Sequence, residues 1–174
     1  MENIFAPLYS AIGWMLFIGI LLGAFKTFLP MIKGKLGEKY VRDDFNRYFV
    51  EPYILINDIT LPDNQSTTTQ VDHIVISPFG IFVIETKNYK GWIFGSERQK
   101  QWTQSIYRQK NKFQNPIHQN YKHIKTLESL LEDIVPSNVF FGIVIFVGSA
   151  EFKSKIPKGV FLDRDWIKYI RPLS

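Results

Sequence analysis

Three residues near the middle of the chain could do chemistry together: Asp72, Glu85 and Lys87. They stand in two β-rich runs, 70–76 and 81–87, joined by the turn-forming tetrapeptide Ser77-Pro78-Phe79-Gly80. A turn centred between Pro78 and Phe79 pairs Ile76 with Ile81 and Ile74 with Val83. Continued outward, it sets Asp72 opposite Glu85 and Gln70 opposite Lys87. All of these share one face, because side chains alternate along a strand. That face is apolar near the turn and polar at its far end. Two carboxylates directly opposite each other repel, by roughly 3 kcal/mol at about 5 Å and an effective dielectric of about 20. A hard divalent cation such as Mg²⁺ would offset this, since it takes one or two carboxylates plus waters and substrate phosphate. The same spacing also suits ordinary strand-end charges, with Lys87 neutralising one acid. Asp is disfavoured inside an apolar strand run, however, and three polar groups at one end of a face favour a site.

The elements that must position these residues can be read on either side of them. Apolar residues at Leu36, Tyr40, Val41, Phe45, Tyr48 and Phe49 form a helical stripe over 36–49. Residues 53–59 read as a strand, and 62–69 as a polar loop. After the central hairpin, 92–96 and 101–105 suggest a second, smaller hairpin. Asn115-Pro116 opens a helix, with Asn as N-cap and Pro at the first helical position. The near-continuous apolar run 140–147 suits a strand buried on both faces. A short strand near Val160 and a helix over 163–170 close the chain. The expected fold is α/β, a mixed sheet flanked by helices.

Composition sets the bounds. With 174 residues, 45% hydrophobic and 16% aromatic, the chain can pack one ordinary domain plus an appendage. The formal net charge of +5 would suit nucleic acid or anionic lipid but does not choose between them. There is no Cys, which excludes disulfides and Cys-ligated zinc, and the three His argue against a His-rich metal site.

The appendage is N-terminal. From Asn3 to Phe25 there is no Asp, Glu, Lys or Arg. As a helix that stretch reaches roughly 34 Å, against a hydrocarbon core of about 30 Å. A signal peptide is the rival reading; it fits poorly, since no cation precedes the run and no small-x-small cleavage site follows it. A transmembrane helix over 3–29, a linker over 30–34 and a domain over 35–174 are therefore expected. Lys26, Lys33, Lys35 and Lys39 follow the uncharged stretch, which places the body in the cytoplasm as a single-pass membrane protein. Gly19 and Gly23 form a small-xxx-small pair of the kind that packs two helices into a homodimer.

The central residues also carry a resemblance. Gln70-Val71-Asp72-His73, then Gly80-Ile81-Phe82-Val83-Ile84-Glu85-Thr86-Lys87-Asn88, resembles the core of the nuclease-related domain (NERD) family. That family is similar to the PD-(D/E)XK superfamily of metal-dependent nucleases. Gly34-Lys35-Leu36-Gly37-Glu38 resembles its N-terminal Gly-x-x-Gly-Glu signature, and Asn115-Pro116-Ile117-His118-Gln119 its helix-opening Asn-Pro-x-x-Gln. Val71 stands where the superfamily's name has proline. The resemblance implies a restriction-endonuclease-like αβββαβ core, with Asp72, Glu85 and the Thr86 carbonyl as ligands for Mg²⁺ or Mn²⁺. Lys87 would hold the attacking water or neutralise developing phosphorane charge. Glu38 and Gln119 would be accessory catalytic residues, although helix-capping and exposed-surface roles suit them as well. The implied activity is hydrolysis of phosphodiester bonds in DNA or RNA beside the membrane. The alternative is a catalytically weak nucleic-acid-binding or scaffold module on the same fold.

Other residues have plainer expectations. His73 points away from Asp72 into the core, and His118 and His123 read as surface positions on their helix. Arg98, Lys100, Arg108, Lys110 and Lys112, interleaved with Trp102 and Tyr107, could grip a nucleic-acid backbone or form a solvated face over core aromatics.

Overall fold

The computed structural model describes residues 6–62 and 67–171. The chain divides into two compact units, Met1–Lys35 and Leu36–Ser174. Helix α1 covers Ala6–Tyr48. Its most apolar 18-residue window has a mean hydropathy of 2.0 and none of that window is buried, so the helix is long and apolar enough to cross a membrane. Residues 3–5 of the expected span lie outside the described residues. Residues 30–34, expected as a linker, are helical, with Pro30 inside α1. A lone proline removes one ladder hydrogen bond, and the neighbouring Met31, Ile32 and Lys33 can all continue a helix.

After α1 come β1 (Ile54–Pro62), β2 (Thr68–Ser77), β3 (Gly80–Asn88), β4 (Gly91–Phe94), β5 (Gln101–Ile106) and β6 (Gln109–Gln114). Then follow α2 (Pro116–Leu130), β7 (Phe140–Val147), β8 (Ala150–Phe152), β9 (Val160–Leu162) and α3 (Asp165–Ile170). One sheet has the order β1-β2-β3-β7-β9. Its first three strands are antiparallel; β7 pairs parallel with β3, and β9 parallel with β7. This is the expected mixed sheet flanked by helices.

Alternation along β7 shows how the layers are built. Ile143, Ile145 and Val147 pack on Val41 and Phe45 of α1, with Phe49 just beyond it and Trp166 and Ile170 of α3. Val144 and Phe146 face the other way, onto Ile93 and Trp102. On that same side of the sheet Val71, Ile74 and Val83 pack on Leu127 of α2. A strand with helices on one face and further layers on the other must be apolar at every position, which is what Phe140–Val147 is.

The expected small hairpin is part of something larger, a four-stranded sheet of order β6-β5-β4-β8. β6 (QKNKFQ) has one apolar residue and no alternation to read. β8 has three residues and joins β4 in parallel, a pairing that only the tertiary fold can make.

Candidate active site

The β2–β3 ladder contains the expected pairs Ile76–Ile81 and Ile74–Val83, and it ends at His73–Ile84. Asp72–Glu85 and Gln70–Lys87 are not ladder partners. Instead the Thr86 N–H donates to Asp72 Oδ2 at 2.7 Å, so a side chain stands in for a main-chain acceptor. Beyond that point β3 continues with β7 and β2 continues with β1. The two strands part where the acidic residues begin. Gln70 is exposed and donates to Asp58 on β1.

Glu85 is 2% exposed, and both of its oxygens have partners. Lys87 Nζ donates to Oε1 at 2.6 Å, and His123 Nε2 lies 3.2 Å from Oε2. Lys87 also donates to Gln119 Oε1 at 3.1 Å. Thr69 Oγ1 lies 2.9 Å from His123 Nδ1. With the hydroxyl donating there, Nε2 carries the proton toward Glu85. The fold thus brings Asp72, Glu85, Thr86, Lys87 and Gln119 together, and adds His123 and Thr69.

His123 is a correction: expected on the surface, it is buried. The reason is the seating of α2 on the sheet. Its buried residues are Pro116, Asn120, His123 and Leu127, a stripe at helical spacing. Two of the four are polar, which hides the stripe from a hydrophobicity scan. The spacing itself was visible, since His123 follows Gln119 by one turn. Asn120 fixes the helix by donating to Val83 O at 2.8 Å and Ile143 O at 2.9 Å. Asn115 caps it as expected, accepting from the Ile117 N–H at 2.9 Å. The Asn115 amide also donates to the carbonyls of Ser96, Glu97 and Gln99, which ties the start of α2 to the β4–β5 loop.

The electrostatics are asymmetric. The Asp72 carboxyl is pushed up to about 7, first by burial and then by the Glu85 charge, with Glu38 adding to the rise. The Thr86 N–H and Lys87 oppose it. Glu38 sits on α1 directly after Gly37, where a Cβ would lie 2.9 Å from Asn88 Cβ and 3.2 Å from Val147 Cγ2. Glycine there lets α1 approach the ends of β3 and β7 closely enough for Glu38 to act on Asp72. Gly37→Ala should therefore destabilise the protein by about 1–3 kcal/mol, despite alanine's better helix propensity. Urea denaturation checks this; a gain in stability would show that the close approach relaxes freely.

His73 is buried as expected, with Nδ1 2.7 Å from Asn57 Oδ1. Burial, aided by Arg42, lowers its pKa to about 4 and keeps it neutral. Trp102 is fully buried in the third core cluster and donates to Ser96 O, so it stacks no base. Arg98, Lys100, Arg108, Lys110 and Lys112 are exposed.

Among the described residues no group of three or more His, Asp or Glu side chains is placed to hold a metal ion. The donors on offer are two carboxylates, Asp72 and Glu85, and the main chain at Thr86. An all-oxygen set with two carboxylates suits a hard ion that keeps waters, of the Mg²⁺ kind. Asp72 fits that use, because burial beside Glu85 disfavours its anion until a cation is near.

Comparison with known proteins places this site in context. The family model described as nuclease-related domain matches residues 33–147, which include every residue of the cluster. A protein of Bacillus anthracis, itself described as uncharacterized, is 50% identical over 111 residues. The match covers 64% of this chain and 52% of that protein, so the chain spans about half the length of the curated relative it matches. No solved structure matches.

Proposed function

The chain belongs to the nuclease-related domain family, and on that premise we propose that it is a membrane-anchored, metal-dependent nuclease hydrolysing phosphodiester bonds of DNA or RNA. The observation that carries the proposal is the arrangement around Glu85, a buried carboxylate held by Lys87 and His123, with Asp72 raised to about 7 beside it. A carboxyl perturbed this strongly, beside a second buried carboxylate, marks a functional site more often than plain surface charge does.

In this mechanism Asp72, Glu85 and the Thr86 carbonyl would hold Mg²⁺ or Mn²⁺, which would supply Lewis-acid polarisation of phosphate oxygens and acidification of a water. Lys87, steered by Glu85 and Gln119, presents its ammonium to the attacking water or to the charge that develops on phosphorus. Glu38 tunes Asp72 from α1. His123 fixes which way the Glu85 carboxylate faces. Outer partners of this kind typically contribute 10–100-fold to metal affinity. His123→Ala should therefore weaken Mn²⁺ binding by about that factor in a calorimetric titration, and unchanged affinity would remove the role.

The direct test is cleavage of single- and double-stranded DNA and RNA by the full-length protein in detergent, with Mg²⁺, with Mn²⁺ and with EDTA. Metal-dependent cleavage of any of the four is the expected result; none from any of them would sink the proposal. One observation favours a second reading. Glu85 has both oxygens satisfied by protein groups, as it would in a catalytically weak module that binds or scaffolds. Binding without cleavage would select it.

The anchor is part of the proposal. The uncharged N-terminal part of α1 crosses the bilayer, with Lys26, Lys33 and Lys35 toward the cytoplasmic side. Protease added to intact cells should then spare the body of the protein, and digestion from outside would reverse the orientation.

A further inference from the structure

The second sheet has one dry face and one wet face. Ile93 and Trp102 are fully buried on the dry face, against Val144 and Phe146. The register assigns the wet face. Trp92 pairs with Ser105, which pairs with Lys110; Phe94 pairs with Thr103, which pairs with Lys112. Directly paired residues share a face. Two parallel rows result, each with an aromatic on β4 and a lysine on β6. Trp92 is 50% exposed and Phe94 39%, and both lysines are exposed. Lys153 Nζ lies 4.9 Å from the Trp92 ring centroid. Glu151, opposite Trp92 on β8, is the acid of this face and is already engaged by Lys153.

Beside the first row is a groove of about 360 Å³. Lys90, Trp92, Ser105 and Tyr107 are among its lining residues. Tyr107 is 98% exposed, with φ of +52°, a left-handed conformation that a bulky residue rarely adopts. Two exposed rings and a lysine around a space the size of a small-ligand pocket suit a flat, anionic guest.

We propose that this face is a stacking platform for single-stranded nucleic acid, with unpaired bases on Trp92, Phe94 and Tyr107 and phosphates on Lys90, Lys110 and Lys112. The choice of nucleic acid as occupant rests on the nuclease reading. Charge complementarity supports it, since the exposed cations outnumber the single acid, which is itself paired. Reach supports it too. Trp92 follows Lys87 by five residues, so their Cα atoms lie within about 18 Å of each other. A duplex has no free base faces to offer, so the platform selects strands that are already unpaired.

The test uses the full-length protein in phosphatidylcholine nanodiscs, with EDTA present, and reads fluorescence anisotropy of a labelled single-stranded DNA oligonucleotide and its duplex. Trp92→Ala should weaken single-strand binding about ten-fold or more and leave duplex binding within two-fold. The double variant Lys110→Gln, Lys112→Gln should lower the slope of log K against log salt by about 0.7 for each phosphate no longer neutralised. Circular dichroism of both variants shows whether they remain folded, and Tyr107→Ala, on a fully exposed side chain, supplies a third arm. Single-strand binding unchanged in all three variants, or weakened equally on duplex, would overturn the platform. So would an effect of Trp92→Ala confined to nanodiscs containing phosphatidylserine, which would assign the face to lipid. Because binding is read in EDTA, a Trp92-dependent result without any metal-dependent cleavage would sink the nuclease reading and leave this one standing.

Discussion

Lys87→Ala is expected to cut turnover at saturating metal by about 10²–10³-fold. Lysine at this position is a compact cation whose direction is set from two sides, by Glu85 Oε1 at 2.6 Å and Gln119 Oε1 at 3.1 Å. It needs no rearrangement to meet charge that develops in a reaction, and preorganised charge of that kind acts on turnover rather than on metal binding. Removing it also leaves the buried Glu85 with His123 alone, so the metal-free variant should lose stability. For that reason the comparison belongs at saturating Mn²⁺. Single-turnover cleavage, paired with a calorimetric metal titration, separates the roles. Turnover within three-fold of wild type at saturating metal would show that Lys87 serves only to hold Glu85.

The two acids should respond oppositely to amide substitution, although either change should abolish activity. In sequence terms Asp72 and Glu85 look equivalent, each repelled by the other, and each amide would be neutral or stabilising without metal. The structure separates them. Asp72 accepts from the Thr86 N–H, a bond that Asn can keep through its own oxygen. Its carboxyl is raised to about 7, so the folded protein holds this proton more tightly than the unfolded chain does. As pH rises from about 4 to about 7 the unfolded chain releases that proton first, and the wild type loses stability across the window. Above it the loss is complete and constant. Asp72→Asn should therefore stabilise the metal-free protein by on the order of 1–3 kcal/mol at pH 8, with the gain vanishing near pH 4.

Glu85→Gln should do the reverse, costing about 1–3 kcal/mol at pH 8, because it weakens charge-assisted bonds to Lys87 and His123. Mg²⁺ at about a hundred times its dissociation constant should stabilise the wild type by about 2.7 kcal/mol and neither variant. Urea denaturation of the full-length protein in detergent, with EDTA and with Mg²⁺ at both pH values, reads all of this. A loss of stability in Asp72→Asn at pH 8 would mean that the acid is structural.

The sequence alone carried the framework. Alternation across the Ser77–Gly80 turn set the register that places Ile74 against Val83, since a one-residue slip would invert every side chain. The continuous apolar run of β7 announced a strand covered on both faces, and Asn115-Pro116 announced the start of α2. Chain order brought Glu85 and Lys87 onto one face, because positions two apart on a strand always are. The uncharged N-terminal stretch was equally legible, because length and composition suffice for it.

Tertiary structure decided the rest. Whether Asp72 pairs across the ladder or turns its carboxylate to the Thr86 N–H depends on where β2 and β3 part, and β1 and β7 draw them apart. Whether His123 is wet or buried depends on how α2 rolls on the sheet, and the polar residues in its stripe conceal that roll. Trp102 stands between Gln101 and Thr103 and Trp92 between Gly91 and Ile93, yet the tryptophan with polar neighbours is core and the other is surface. The difference came from the parallel pairing of three-residue β8 with β4 and the packing of that sheet's dry face on Phe146. Packing between segments dozens of residues apart is a balance of many burial energies, and no local pattern encodes it.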